Sequence, residues 1–167
     1  EDKTRKLKVN SSSSVVIDAE YAEVSVRIQV YGIEFDANTK KIMKVILDIE
    51  KNLSVYEIKE GSYAKPLIEH GFEKSYSKFS GSKTSGSSSN SNDIGFSSCT
   101  LILTVLKLES LGYIYKEIAK IEDVSLVGTQ LKIKDEEGVK LMQYKKALLL
   151  ARTKGELMAS TLNSKLG

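Results

Sequence analysis

The only histidine of the chain, His70, is the side chain best suited to acid–base chemistry. It lies in the stretch IEHGFE, between Glu69 and Glu73. An imidazole held by a carboxylate can move protons near neutral pH, so these residue types could supply a general base and the acid that orients it. The sequence has no second histidine or neighbouring cysteine to share a metal ion with it. The pattern favours a surface or loop-capping histidine, and an enzyme built around His70 stays the alternative.

The only cysteine, Cys99, lies in the apolar stretch SCTLILTVL. A single cysteine excludes an intramolecular disulfide and any metal site built from several cysteines. Its apolar neighbours predict a small buried thiol rather than a nucleophile.

Short catalytic and ligand-binding motifs are absent from the sequence. It contains no G-x-S-x-G elbow, no Walker loop and no dinucleotide fingerprint. The stretch GSKTSG lacks the spacing of a phosphate-binding loop, and no helix is predicted after it. KDEEG and SNDIG carry too few oxygen ligands for a calcium loop. We therefore predict no catalytic, cofactor-binding or metal-binding residues, no cofactor and no enzymatic activity.

The composition is that of a soluble globular domain. Of 167 residues, 41% are hydrophobic and 28% are charged, which suits one domain with a real core. The 25 basic residues are nearly balanced by 22 acidic ones, so the net charge of +3 does not predict a nucleic-acid partner. No run approaches the roughly 18 apolar residues of a membrane helix, so we predict no transmembrane segment in this chain.

The first half of the sequence predicts strands around one helix. YAEVSVRIQVYG alternates apolar and polar residues, as in a strand with one buried and one polar face. KLKVNSSSSVVID before it predicts a short partner strand. FDANTKKIMKVILDIEKNL predicts a helix, with Asp36 as its N-cap and one apolar stripe of Ile42, Val45, Ile46, Ile49 and Leu53. SVYEIKEGSYAKPLIE returns to strand character, and Pro66 marks an edge or a strand end.

The second half predicts a similar succession. GFSSCTLILTVLKLE is apolar on both faces, which predicts a central strand or one whose second face is covered by a partner. SLGYIYKEIAKIED predicts a second amphipathic helix, with its stripe at Leu111, Ile114, Ile118 and Ile121. VSLVGTQLKIKD predicts two short strand pieces around Gly128, either a tight hairpin or one bulged strand.

The last segment, DEEGVKLMQYKKALLLARTKGELMASTLN, predicts a long helix. Asp135 and the two glutamates after it open the helix, in keeping with the helix dipole. Apolar and small residues recur at alternating spacings of three and four: Leu141, Tyr144, Leu148, Ala151, Gly155, Met158 and Leu162. The small residues Ala151, Gly155 and Ala159 predict a face that a sheet or partner helix can approach closely.

The order ββαβ, a serine-rich loop and then βαββα predicts an α+β two-layer sandwich, a mostly antiparallel sheet with helices packed on one face. The stretch SGSKTSGSSSNSND, at about 80–93, cannot build a core. Because the strands on both sides are predicted to share one sheet, we interpret it as a flexible loop inside a single domain spanning 1–167. Deleting 81–92 should leave folding intact, and a binding role for the loop stays open.

Several motifs, taken in order, resemble the SIMPL domain family. That family typically has Pro-Asp before the first long strand, an aromatic-proline stretch, Gly-Tyr opening the central strand, a glycine-containing β-turn-β and a last helix with A-R-x-K-A-x-x-L-A. Here Asp18 keeps the aspartate and Ile17 replaces the proline, while Gly95-Phe96 stands for Gly-Tyr. ARTKGELMAS matches the last motif with Gly155 in place of alanine. The resemblance covers about Val15 to Leu166 and includes YAKPLIE.

The resemblance implies a bacterial periplasmic or cell-envelope protein, in some members lipid-anchored, without catalytic residues. Members are associated with oxidative-stress tolerance and, in pathogens, with antigenicity, and at least one forms a channel-like homo-oligomer. The mammalian namesake is a signalling adaptor. The resemblance also implies one more strand after Gly167. We expect a mature chain without its leader that acts by self-association, as a homo-oligomer, or by binding a partner. An adaptor for one specific protein, an unrecognised enzyme and a cytoplasmic location stay alternatives.

Overall fold

The computed structural model describes residues 7–64, 66–74 and 93–162. These residues form two compact units, one spanning Glu20–Lys132 and the other made of the residues before and after it. The secondary-structure elements are β1 (Tyr21–Tyr31), α1 (Phe35–Asn52), β2 (Glu69–Lys74), β3 (Asp93–Val105), a 3₁₀ turn (Leu108–Ser110), α2 (Leu111–Ala119), β4 (Val124–Lys132) and α3 (Glu136–Thr161).

The unit Glu20–Lys132 is a four-stranded antiparallel sheet with a helical layer. Its strands lie in the order β2-β3-β1-β4, so the first and third strands along the chain are central. The order β-α-β-β-α-β with this sheet is the ferredoxin-like, split β-α-β arrangement. The predicted α+β two-layer sandwich with an antiparallel sheet is therefore confirmed.

The core lies between the sheet and its two helices. The alternation of β1 buries Ala22, Val24, Val26, Ile28 and Val30, which face the apolar residues of β3 in register. The helix α1 adds three buried isoleucines and α2 adds Ile114 and Ile118 to the same cluster. Each fully buried side chain of this kind stabilises the fold by roughly 1.5–3 kcal/mol relative to its exposed state. The apolar stripes predicted for both helices are thus the core-facing ones.

The strand β3 is central, as predicted, and its two faces differ. Leu101, Leu103 and Val105 are buried against the helical layer. On the outer face Thr100 is exposed and Ile102 is 54% exposed. The apolar character of both faces therefore reflects a central position rather than a fully covered second face.

Two predicted strands are wrong. The stretch before β1 contains no strand from Leu7 to Glu20, and Val16 is 97% exposed. The segment after α1 is mainly turns with one isolated bridge, Ile58 to Val105, and the strand β2 begins only at Glu69. Tyr56 and Ile58 pack against the core. The backbone of this segment pairs with the end of β3 only at that bridge, through hydrogen bonds from Lys59 to Thr104 and from Leu106 to Glu57. Pro66 precedes β2, in keeping with a strand end.

Two further expectations concern β4 and α1. Of the two alternatives for VSLVGTQLKIKD, the bulged strand is confirmed: Ser25 pairs with Gly128 and Val26 with Leu126, so Val127 has no partner on β1. The N-cap of α1 is Glu34 rather than the predicted Asp36, which lies in the first turn of the helix. The observed order is therefore βαβ, then βαβα.

The second unit contains α3, the predicted long helix. Asp135 is its N-cap, and the Asp135 carboxylate accepts a hydrogen bond of 2.9 Å from the backbone N–H of Gly138. Gly155 and Ala159 are the residues of α3 that are buried. The Ser13 hydroxyl donates to the Gln143 side-chain oxygen at 2.7 Å, which holds the N-terminal segment to the helix. The serine-rich stretch lies outside the described residues except for Asp93, the first residue of β3.

Candidate functional site

A polar cluster lies where the C-terminal end of β1, the beginning of α1 and the edge strand β2 meet. His70 pairs with Ser97 in the β2–β3 register, which places the His70 Nδ1 atom 2.6 Å from the Ser97 Oγ atom. The Asn38 side-chain amide donates to the same oxygen at 3.1 Å and to the carbonyl oxygen of Gly32 at 2.9 Å. Asn38 and Ser97 are buried, 4% and 0% exposed. One buried hydroxyl therefore joins two strands and a helix.

One aromatic ring packs directly on the imidazole of His70, and a second packs on the first. The Phe35 ring stacks on it with 4.7 Å between the ring centroids, and the Phe72 ring meets Phe35 edge-on at 5.7 Å. His70 itself is exposed, so the predicted surface position is confirmed, but it lies on a strand rather than in a loop. The imidazole thus has two neighbours, the Phe35 ring on its face and the Ser97 hydroxyl at Nδ1.

The carboxylates that the sequence places beside His70 are not brought to it. Side chains alternate along β2, so Glu69 and Glu73 extend from the face opposite to His70. The fully buried Ser97 hydroxyl has no open path to a substrate in this arrangement. Among the described residues no group of three or more His, Cys, Asp and Glu side chains could hold a metal ion. The cluster is thus built as a structural link between elements.

The sequence did not reveal Asn38 and Ser97 as partners of His70. Asn38 lies in the first turns of a helix and Ser97 in a run of two serines, and 59 positions separate them. The only local signal is a polar residue at a helix position that should face the core, and it identifies no partner.

Cys99 is a buried thiol, as predicted. It is 4% exposed and faces Ile28 in the β1–β3 register. Burial raises the pKa of the Cys99 thiol, because the thiolate would lose its hydration. A thiol with a raised pKa is a poor nucleophile at neutral pH.

A shallow groove of about 450 Å³ crosses the outer face of the sheet. Its lining combines opposite charges, hydroxyls and apolar side chains, namely Arg27, Leu67, Glu69, Ser98, Thr100 and Val127. Cys99 also borders the groove, although its side chain lies on the core face of β3. The rest of this outer face on β1 is polar, as its alternation predicted. The groove can accept polar groups from a partner that lies flat on the sheet.

The long helix α3 exposes its apolar stripe. Of the residues that the 3-4 spacing singled out, five large ones are exposed to 45–70%: Leu141, Tyr144, Leu148, Met158 and Leu162. Large apolar residues are also exposed on its other sides, at Met142, Leu149, Leu150 and Leu157. The N-terminal segment lies beside part of the helix, and between them is a cavity of about 620 Å³ whose lining includes Tyr144, Leu148 and Ala151. We call this set of nine exposed side chains the α3 surface.

The strand β4 is an edge of the sheet, and it exposes apolar side chains. Leu126 and Leu131 lie on the helical side of the sheet, yet they are 44% and 63% exposed, because the nine-residue helix α2 does not cover them. Val127, at the bulge, is 61% exposed. On the same side the Tyr115 and Thr129 hydroxyls form a hydrogen bond of 2.5 Å that ties α2 to β4.

No protein-family model matches the chain, and no curated protein matches it in sequence. In the part of the chain that the structure describes, none of the helices is both long and apolar enough to cross a bilayer.

Proposed function

We propose that the chain is a non-catalytic protein that acts by self-association or by binding a partner protein. The observation that carries the proposal is the α3 surface: eight large apolar side chains exposed on one helix of 26 residues, together with Leu162 at its C-cap. A helix of this length extends about 39 Å, and the stripe residues among these side chains recur along most of it. Extended apolar surface of this kind is typical of an interaction site.

Association through α3 has a clear driving force. Each large apolar side chain that leaves water contributes roughly 1.5–3 kcal/mol when its burial is complete. The stripe residues repeat at alternating spacings of three and four, which suits a second helix packed along α3. The cavity beside Tyr144 and Leu148 gives an entering side chain a place to pack.

Our proposal for the cellular location rests on the SIMPL-like motifs and on the order in which they occur. We propose a bacterial envelope location, periplasmic or lipid-anchored, with a role in stress tolerance and exposure as an antigen. Asp18, Gly95-Phe96 and ARTKGELMAS support this proposal, since they occur in the order of the family's motifs.

A specific observation favours a second function, that of an adaptor for one protein. On β1 the outer face of the sheet is polar, and the groove on this face holds both Arg27 and Glu69. A partner with matched polar groups would bind this face, whereas self-association would use the apolar surfaces.

Sedimentation of the wild-type chain and of Leu148→Glu at tens of micromolar tests the leading proposal. We expect wild type to sediment as an oligomer and Leu148→Glu to shift toward the monomer, because the charge enters the middle of the α3 surface. Leu47→Glu is the matched control, since Leu47 is 63% exposed on α1 and Leu148 is 70% exposed on α3. A wild-type monomer without any reproducible partner in pull-downs would contradict both forms of the proposal.

A wild-type monomer that captures one protein reproducibly would favour the adaptor. Arg27→Glu should then abolish capture, because it reverses a charge in the groove, while Leu148→Glu should leave capture unchanged.

A further inference from the structure

The two edges of the sheet are protected to very different degrees. The edge strand β2 has six residues, and Glu69, Glu73 and Lys74 place charges along it. Charges and short length are the means by which proteins keep an edge strand from pairing with another chain. The edge strand β4 has nine residues and no charge between Asp123 and Lys132. Apart from its bulge, this edge strand carries neither of those two protections.

The backbone of β4 is suited to a further strand. Beyond the bulge at Val127, the run Gly128–Lys132 pairs regularly with β1 and presents its other side outward as the end of the sheet. A bulge limits pairing locally, but here it leaves regular strand on both of its sides. The exposed Leu126 and Leu131 lie on one face of that edge, where a neighbouring strand would cover them.

The charges at the ends of β4 decide what kind of strand fits. Glu122 and Asp123 precede the strand, and Lys132 is its last residue. When two copies of β4 run antiparallel, the acidic end of each lies beside the Lys132 end of the other. A parallel pair would place like charges together at both ends. The sequence is therefore complementary to itself in the antiparallel sense only.

We propose that two copies of this chain associate through antiparallel pairing of their β4 strands, which joins two four-stranded sheets into one of eight. Leu126 and Leu131 of each copy are covered at the junction, and Glu122 of one copy forms an ion pair with Lys132 of the other. The proposal rests on the self-association form of the proposed function and assigns it a surface separate from α3. Within one copy Lys132 reaches Glu23 only at 4.0 Å, so it is weakly engaged there.

A charge-exchange experiment tests the pairing. Glu122→Lys alone places lysine beside Lys132 of the other copy, and Lys132→Glu alone places glutamate beside Glu122. We expect each variant by itself to associate about tenfold or more weakly than wild type, since two surface ion pairs become repulsive contacts. An equimolar mixture of the two variants restores both attractive contacts, so we expect it to associate close to the wild-type level.

Two measurements make the result specific to β4. Sedimentation gives the association constant, and amide hydrogen exchange at Leu126–Leu131 as a function of concentration shows whether this strand is protected by association. Leu47→Lys is the control for added surface charge, because Leu47 is an exposed leucine on α1. Glu122 lies in a turn outside the strand, so its substitution should not disturb folding. Glu122→Lys therefore tests the β4 pairing even if the Lys132→Glu variant does not fold.

Each other outcome overturns the proposal. Single variants that associate like wild type, or a mixture no tighter than its components, contradict β4 pairing. If the β4 substitutions leave the association constant unchanged and only Leu148→Glu lowers it, the result supports the proposed function and contradicts the β4 interface. A wild-type chain that stays monomeric overturns both the β4 pairing and self-association.

Discussion

The His70 Nδ1 atom lies 2.6 Å from the buried Ser97 hydroxyl, and the Asn38 amide donates to the same oxygen. A serine hydroxyl has one hydrogen to donate and accepts up to two hydrogen bonds. With Asn38 donating to its oxygen, the Ser97 hydroxyl can donate its hydrogen to Nδ1 of the His70 tautomer that is unprotonated there, so the buried hydroxyl has two side-chain partners. One hydroxyl thus connects the edge strand β2 and the start of α1 to the central strand β3.

Removing that hydroxyl should destabilise the fold. Ser97→Ala leaves the buried Asn38 amide with one of its two acceptors and His70 without its partner. An unsatisfied buried polar group costs about 1–3 kcal/mol, so we expect the free energy of unfolding to fall by that amount. Urea unfolding measures it. Ser98→Ala is the matched control, because Ser98 is the neighbouring buried serine on the opposite face of β3. Equal losses in the two variants would contradict this role of Ser97.

Periodic segments could be predicted from the sequence, and segments defined by distant pairing could not. The strict alternation around Val26 and the helical stripe around Ile46 predicted β1 and the core face of α1, since burial imposes those periods. β2 carries no such period, because five of its six residues are exposed. It is a strand only because β3 pairs with it. The polar cluster could not be predicted for the same reason, because its three side chains come from separate elements that only the folded chain brings together.

The close approach of Gly95 to Gly32 predicts opposite effects for two glycine substitutions. A Cβ atom on Gly95 would lie 2.6 Å from the backbone oxygen of Gly32, so the backbone must shift. We expect Gly95→Ala to lower the free energy of unfolding by about 1–3 kcal/mol. Gly112, in α2, has open space around it, so Gly112→Ala should raise the stability by up to about 1 kcal/mol. Thermal and urea unfolding compare them. If both substitutions changed the free energy of unfolding in the same direction, steric conflict at Gly95 would not be the cause.

The burial of Cys99 predicts slow reaction with thiol reagents. Its thiol faces the core and has a raised pKa, so labelling requires an opening of the structure. We expect the native chain to react at least about tenfold more slowly than the variant Cys99→Ala/Thr100→Cys, whose thiol is on the exposed outer face of β3. In strong denaturant the two should react alike. Equal rates for the native proteins would show that the β1–β3 core opens readily.

Tyr63 makes stability depend on alkaline pH. Burial, with the negative charge of Glu50 as a smaller cause, raises the pKa of Tyr63 from 10.0 to about 12. Between these values the unfolded chain loses the phenol proton while the folded chain keeps it, so the folded state binds more protons. The stabilisation is fully present below pH 10 and is lost as the pH rises toward 12. Urea unfolding across this range should show a steeper loss for wild type than for Tyr63→Phe, which keeps the ring and lacks the proton. The two proteins differ only at position 63, so the difference between their pH profiles isolates Tyr63. Parallel pH profiles would mean that the Tyr63 hydroxyl is hydrated in the folded chain.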